Sequence, residues 1–264
     1  MHLPPDKTWL WAHPAGSHNG KYRLPGDSTI TPHEAAQRMG IDNLIMVVYG
    51  NRPEPPFDGE MAKLADLDRV VWSIVGDSSS VRNDRATDLE EVCRLAGEYP
   101  NVCGAIMDDF FLGEPASDGR QARYGRDDLR RFHRTLHAQP CPLDLWVVMY
   151  DQLLGRPLEP YLAECDVITF WTWEAENLAD LEENLARLES MAPGQRKVLG
   201  CYLWDYGHGG GGREVPPKLM EKQCRLAGRW LEAGRIEGVI FLASCICDLD
   251  IAAVDYVRKA LATT

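Results

Sequence analysis

The chain has 264 residues, 45% of them hydrophobic and 26% charged, enough apolar material for one large globular core. Acidic side chains outnumber basic ones by 40 to 28, a formal charge of −12 that argues against nucleic acid or an anionic membrane surface as the partner. No apolar run is long enough to span a bilayer, and Met1–Lys7 has no apolar signal-peptide region, so the expectation is a cytoplasmic protein or a secreted one that has lost its signal peptide.

The first predicted strand is Thr8–His13, with Trp9, Trp11 and His13 on one parity. A loop rich in Gly, Ser and Asn follows. Thr31-Pro32-His33-Glu34 opens a helix with a capping box and Pro at its first position, and Gly40 stops it. Asn43–Tyr49 is the second strand. A Pro-rich loop, Arg52–Pro56, leads to a predicted helix over Asp58–Leu67. Arg69–Val75 is the third strand and delivers Asp77 to its end. Thr87-Asp88-Leu89-Glu90 predicts a second capping box, with the helix running to Tyr99. The fourth strand begins at Val102 and ends in Asp108-Asp109, and a polar loop leads to a helix marked by Leu129, Phe132 and Leu136.

Leu143–Tyr150 and Asp166–Trp173 are the fifth and sixth strands. Leu178, Leu181, Leu185 and Leu188 line one helix face before Pro193-Gly194. Lys197–Trp204 is the seventh strand. The glycine run Gly209–Gly212 then reads as a flexible loop and candidate lid before a helix with Met220, Cys224, Ala227 and Leu231 on one face. Gly238–Ser244 is the eighth strand, and a helix carrying Ile251, Val254, Val257 and Leu261 closes the chain. Eight strand candidates alternating with helices imply a parallel sheet. The length favours its closure into a single (β/α)8 TIM barrel over residues 1–264.

Chemistry concentrates at the strand ends. Val102-Cys-Gly-Ala-Ile-Met is apolar and uncharged, as a strand buried on both faces should be, and it stops at two adjacent carboxylates. Other predicted strands end in aromatic or acidic residues: His13, Tyr49, Asp77, Tyr150 with Asp151, Trp173 with Glu174, and Trp204 with Asp205. In a barrel these ends share one rim. Carboxylates there supply acids, bases and nucleophiles, and flat rings pack on sugar faces or attract cations. Acids just past a strand also serve as loop anchors, a reading that fits Asp77, Asp151 and Asp205 taken singly.

No cofactor motif is visible: there is no Walker A run, HExxH, HxH or GxSxG, and Cys245-Ile-Cys247 lacks zinc-site spacing. The eight scattered cysteines read as reduced thiols.

The strand Gly104-Ala-Ile-Met-Asp-Asp-Phe resembles the Gly-x-x-x-Asp strand endings of TIM-barrel glycoside hydrolases of chitinase-like and α-galactosidase-like type, and Met149-Tyr150-Asp151 is similar to a Met-x-Tyr-Asp ending of the chitinase-like enzymes. The chain departs from the chitinase-like pattern where the latter carries Glu shortly after its aspartates; Phe110 or Phe111 stands there, with Glu114 further on.

The resemblance implies a carbohydrate-active hydrolase with a small-molecule or oligosaccharide substrate. Asp108 is expected as nucleophile or base, Asp109 as its partner, and Glu174 as general acid, with Asp205 in reserve. Trp11, Tyr150, Trp171, Trp173, Tyr202 and Trp204 are expected to bind sugar rings, with His13, Tyr49, Asp77 and Asp151 in the same pocket. Two other classes stay open: a metal-dependent isomerase, epimerase or lyase using Asp108, Asp109, Glu174 and His13 as ligands, and a non-catalytic sugar-binding barrel. Oligomeric state is not legible.

Overall fold

The computed structural model describes residues 3–117 and 119–262. Eight parallel strands close into a barrel around a continuous apolar core. In chain order, β1 is Thr8–Ala12, β2 Asn43–Met46, β3 Arg69–Val75, β4 Val102–Met107, β5 Asp144–Tyr150, β6 Val167–Trp171 and β7 Arg196–Tyr202. A short ribbon, β8 (Trp204–Asp205) paired antiparallel with β9 (Arg213–Glu214), interrupts the series, and β10 (Gly238–Leu242) completes the barrel between β7 and β1. The outer helices are α1 (Pro32–Met39), α2 (Asp58–Met61), α3 (Leu89–Glu98), α4 (Arg126–His137), α5 (Glu159–Leu162), α6 (Leu181–Met191), α7 (Pro217–Glu232) and α8 (Ala252–Ala262). No helix among the described residues is long and apolar enough to cross a membrane.

The capping box at Thr31 forms as expected, with Thr31 Oγ1 accepting from Glu34 N at 3.2 Å and Glu34 Oε2 accepting from Thr31 N at 2.9 Å. The second box does not. α3 begins at Leu89, and the Asp88 carboxylate is drawn instead to Arg82 (2.5 Å) and Asn83 (3.2 Å), a stronger charge-assisted pairing than a backbone cap. The helix expected over 58–67 is shorter: α2 tightens into a 3-10 turn at Ala62–Leu64. Leu178 likewise lies in a 3-10 segment ahead of α6. Between β5 and β6 the only α-helix is the single turn α5, too short to show apolar periodicity in sequence.

The barrel interior is packed in rings of aromatic side chains. Trp9 meets Trp146 edge-on at 5.3 Å, and one layer higher Trp11 meets Trp171 at 5.2 Å. Glycines make room for them. A Cβ on Gly104 would approach Trp146 Nε1 to 2.8 Å, and one on Gly200 would stand 2.1 Å from the Trp171 ring. These layers form a filled core with the open mouth above it, at the C-terminal strand ends. All eight cysteines are free thiols.

Candidate active site

The mouth holds a cavity of about 130 Å³ lined by Trp11, His13, Tyr49, Asp77, Asp108, Asp109, Tyr150, Trp171, Trp173 and Tyr202, all expected from strand ends, together with Tyr22, Ser78, Val148, Tyr206 and Leu242. A second cavity of about 360 Å³ adjoins it and shares Ser78, Asp109 and Tyr150 while adding Asp84, Arg123 and Gln152. The first is small beside the roughly 300–1,000 Å³ of ordinary ligand pockets. It suits one compact group, with the remainder of a ligand in the second.

β4 delivers Asp108 on the interior parity, buried at 6% exposure. Burial raises its carboxyl pKa well above the usual range, and the neighbouring Asp109 and Asp77 charges push it the same way; the Asp109 N–H and Arg123 offset only part. Asp108 therefore keeps its proton to higher pH than an ordinary carboxyl does. At Asp109 the chain turns through φ 38°, the left-handed region that Asp tolerates better than most residues. Its side chain reaches the junction of the two cavities, where Oδ1 accepts from the Tyr150 hydroxyl at 2.8 Å and Oδ2 from Ser78 N at 2.9 Å. Burial also raises the pKa values of Tyr150 and Tyr202, so both phenols stay protonated as donors.

Arg123 underpins this wall. The β4–α4 loop folds back as a hairpin, pairing Phe111 with Ala122. The Arg123 guanidinium then donates to Gly76 O at 2.8 Å, Ser80 O at 3.0 Å and Asp84 Oδ1 at 2.7 Å. Asp77 is consumed by its own loop and the one after β2: Oδ1 accepts from Ser80 Oγ and Gly50 N, Oδ2 from Ser79 N and Ser79 Oγ.

The β1 side is built differently. Trp11 Nε1 donates to His13 Nε2 at 3.1 Å, which puts the neutral ring's proton on Nδ1, 4.0 Å from Cys245 Sγ. His18 Nδ1 and the Tyr206 hydroxyl share a hydrogen bond of 3.1 Å. Burial lowers the pKa of His13 to about 3 and of His18 to about 2, with Lys21 and, for His18, His13 adding repulsion. Tyr22 and Tyr49 join their hydroxyls at 2.9 Å beside these rings.

Four expected residues stay outside both cavities. Glu174 is exposed on the outer rim. Asp205 is buried, accepting from Ala175 N at 3.2 Å and Arg213 Nε at 3.0 Å, so it anchors the β8–β9 ribbon to the β6 loop. Asp151 accepts from Trp173 N at 3.1 Å and Asn177 Nδ2 at 3.2 Å, positioning Trp173 without facing the cavity itself. Trp204 donates to Tyr22 O at 3.0 Å and so holds the β1–α1 loop against the glycine-rich ribbon. Of the cavity members that strand-end reasoning missed, Tyr22, Ser78, Tyr206 and Arg123 sit in loops, whereas Val148 and Leu242 lie in β5 and β10.

Among the described residues, three groups of His, Cys, Asp and Glu bring ligand atoms within 4.8 Å: His13–His18–Cys245, Glu176–Asp205–His208 and His133–His137–Asp166. None joins Asp108 or Asp109 to His13, as the metal-enzyme reading requires. In the first group His13 Nε2 is taken by Trp11 and His18 Nδ1 by Tyr206. In the second, Arg213 already occupies both carboxylates.

No protein-family model matches the chain, and no curated protein matches it in sequence. Solved structures match it in fold. The active domain 2 of a thermostable chitinase from Pyrococcus furiosus, studied with chito-oligosaccharides, superposes with a TM-score of 0.58 at 13% identity, covering 99% of this chain and 96% of that one. A family 128 endo-β-1,3-glucanase from Amycolatopsis mediterranei in complex with laminaritriose gives 0.56 at 12% identity, covering 97% and 99%. A psychrophilic family 10 endo-β-1,4-xylanase gives 0.53 at 11% identity, covering 96% of each chain. At this identity the likeness is one of fold: the chain shares the closed (β/α)8 barrel of several glycoside hydrolases.

Proposed function

We propose that this protein hydrolyses a glycosidic bond seated at the junction of the two cavities, with Asp108 as proton donor and Asp109 as the carboxylate that attacks the anomeric carbon or activates a water there. The observation that carries this is the contrast between adjacent carboxyls: Asp108 is buried and held protonated, while Asp109 is more open and oriented by Tyr150 and Ser78. Glycoside hydrolysis needs one protonated and one ionised carboxyl beside the scissile bond. The half-buried ring of Trp173 offers an apolar face to a sugar, with Tyr202 packed against its edge and Trp11 and Trp171 forming the floor beneath. The solved relatives in fold named above act on polysaccharides, which supports a carbohydrate substrate. Asp108 protonates the glycosidic oxygen as the bond to the anomeric carbon breaks. If Asp109 deprotonates a water, that water bonds to the carbon, the sugar leaves, and the proton on Asp109 returns to Asp108 by way of solvent; if Asp109 itself bonds to the carbon, a water deprotonated by Asp108 then breaks the sugar–Asp109 ester and restores both carboxyls.

The test compares two leaving groups. Asp108→Asn should lose turnover on alkyl glycosides by about 10²–10⁴-fold, yet keep most of it on dinitrophenyl glycosides, whose leaving group needs no proton. Asp109→Asn should lose both. Full activity in both variants, on any glycoside the wild type cleaves, would reject the reading.

A further inference from the structure

We propose that His133, His137 and Asp166 form a site for a single imidazole-preferring divalent cation, Zn²⁺ by chemistry, at the opposite end of the barrel from Asp108 and Asp109. His133 and His137 lie four residues apart in the last turns of α4 and so project from one face of that helix. Their rings stack at 3.8 Å and 29°. Asp166, the residue just before β6, meets both: His133 Nε2 stands 3.3 Å from its Oδ1 and His137 Nε2 3.0 Å from its Oδ2. Ligands at about 2.0–2.1 Å on a tetrahedral Zn²⁺ lie roughly 3.3 Å apart. Each histidine–carboxylate separation is close to that tetrahedral edge, and the three ligand atoms all lie within 4.8 Å of one another.

The carboxylate is oriented before any ion arrives. Asp166 is fixed in the lower barrel rim, its N–H donating to Leu145 O at 2.9 Å and its carbonyl accepting from Arg196 N at 3.0 Å. Its Oδ2 also accepts from Leu145 N at 2.8 Å, the kind of outer hydrogen bond that holds a metal-binding carboxylate in place. The two histidine side chains are 34% and 41% exposed, which leaves a fourth position for water. Two imidazoles and one carboxylate favour Zn²⁺, Ni²⁺ or Cu²⁺ over Mg²⁺ or Ca²⁺, which prefer oxygen. An ion there would tie α4 to the start of β6 across the β5 strand between them, a structural staple that takes no part in the hydrolase reading.

Calorimetric titration of the intact protein with Zn²⁺ alone, repeated on His133→Gln, His137→Gln and His208→Gln, tests this. The expected result is one Zn²⁺ per chain, with affinity about tenfold or more weaker in each of the first two variants and unchanged in the third. Zn²⁺ at a hundredfold excess over Kd should also raise wild-type Tm by about 5–10 °C, and Co²⁺ should give the visible band of a tetrahedral site. The metal-free melting curves of the variants confirm that each remains folded. No saturation up to about 1 mM Zn²⁺, undiminished binding in both α4 variants, or loss confined to His208→Gln would overturn the proposal.

Discussion

The β3–β4 side of the cavity and the β1 side both bury titratable groups, and the protein treats them in opposite ways. Asp108 is kept protonated beside two further carboxyls, Asp109 and Asp77. His13 and His18 are kept deprotonated among rings and Lys21. Burial is the largest cause on both sides and drives each group to its neutral form. The neutral form of a carboxyl is a proton donor, whereas that of an imidazole pinned by Trp11 or Tyr206 is a spent hydrogen-bond partner. The acid side retains a reactive proton, and the imidazole side gives shape.

The largest test of that contrast is catalytic. Asp109→Ala should lower turnover by about 10³-fold or more, within the range for losing a catalytic carboxyl. His18→Gln should cost less than about tenfold, because His18 touches Tyr206 and other rings without supplying a proton. Steady-state kinetics on one glycoside decides it; equal losses would erase the distinction between the two sides.

Stability against pH sharpens it next, because the signs differ. For His18 the folded pKa is about 2 against an ordinary 6.5. Between these values the unfolded chain binds the extra proton, so stability falls as pH drops below 6.5, by up to about 1.4 kcal/mol per pH unit. His18→Gln removes that slope. The variant should melt below wild type at pH 7.5, having lost its bond to Tyr206, and the gap should narrow steadily toward pH 4. For Asp108 the folded pKa is raised above 3.8. Above 3.8 the unfolded chain sheds a proton that the native state retains, so stability falls as pH rises until the folded pKa is passed. Asp108→Asn abolishes this penalty. Its Tm relative to wild type should therefore climb as pH rises above 4, opposite in direction to the histidine variant. Wild type mixes the two slopes between pH 4 and 6.5, and only the single variants separate them.

The barrel was legible because its strands are short uncharged runs punctuated by capping and glycine signals, as at Thr31–Glu34 and Gly40. The cavity was legible where strand parity carries it: Trp11, Asp108, Trp171 and Tyr202 follow from alternation alone. Past the strand ends parity is an uneven guide: it carries Asp108, one residue beyond β4, but not Asp151, one residue beyond β5. Asp151 and Asp205 look like Asp109 in sequence, yet the Trp173 amide takes one and Arg213 the other. Tyr22 and Tyr206 enter the pocket on loops whose path is set by long-range bonds, such as Trp204 to Tyr22 O across 182 positions. No local pattern encodes such a contact. Arg123 escaped for the same reason, arriving only because the loop after β4 doubles back.

Glu174 supplies the smallest expected effect and the sharpest check on the acid assignment. It follows the aromatic strand end Trp171-Thr172-Trp173, and flanking tryptophans would make it a natural proton donor if they buried it. The chain instead leaves Glu174 exposed at the N-cap of a 3-10 turn, while Trp173 turns into the cavity without it. An exposed carboxyl outside the cavity has no path to the scissile oxygen. Glu174→Gln should change kcat and KM by less than about twofold, with stability within the small range of surface substitutions, about 0.5 kcal/mol. A loss of 10²-fold in kcat that spares dinitrophenyl glycosides would move the proton donor from Asp108 to Glu174. Asp108 would then keep its buried proton for orienting the substrate, and the contrast between the two sides of the cavity would no longer be catalytic.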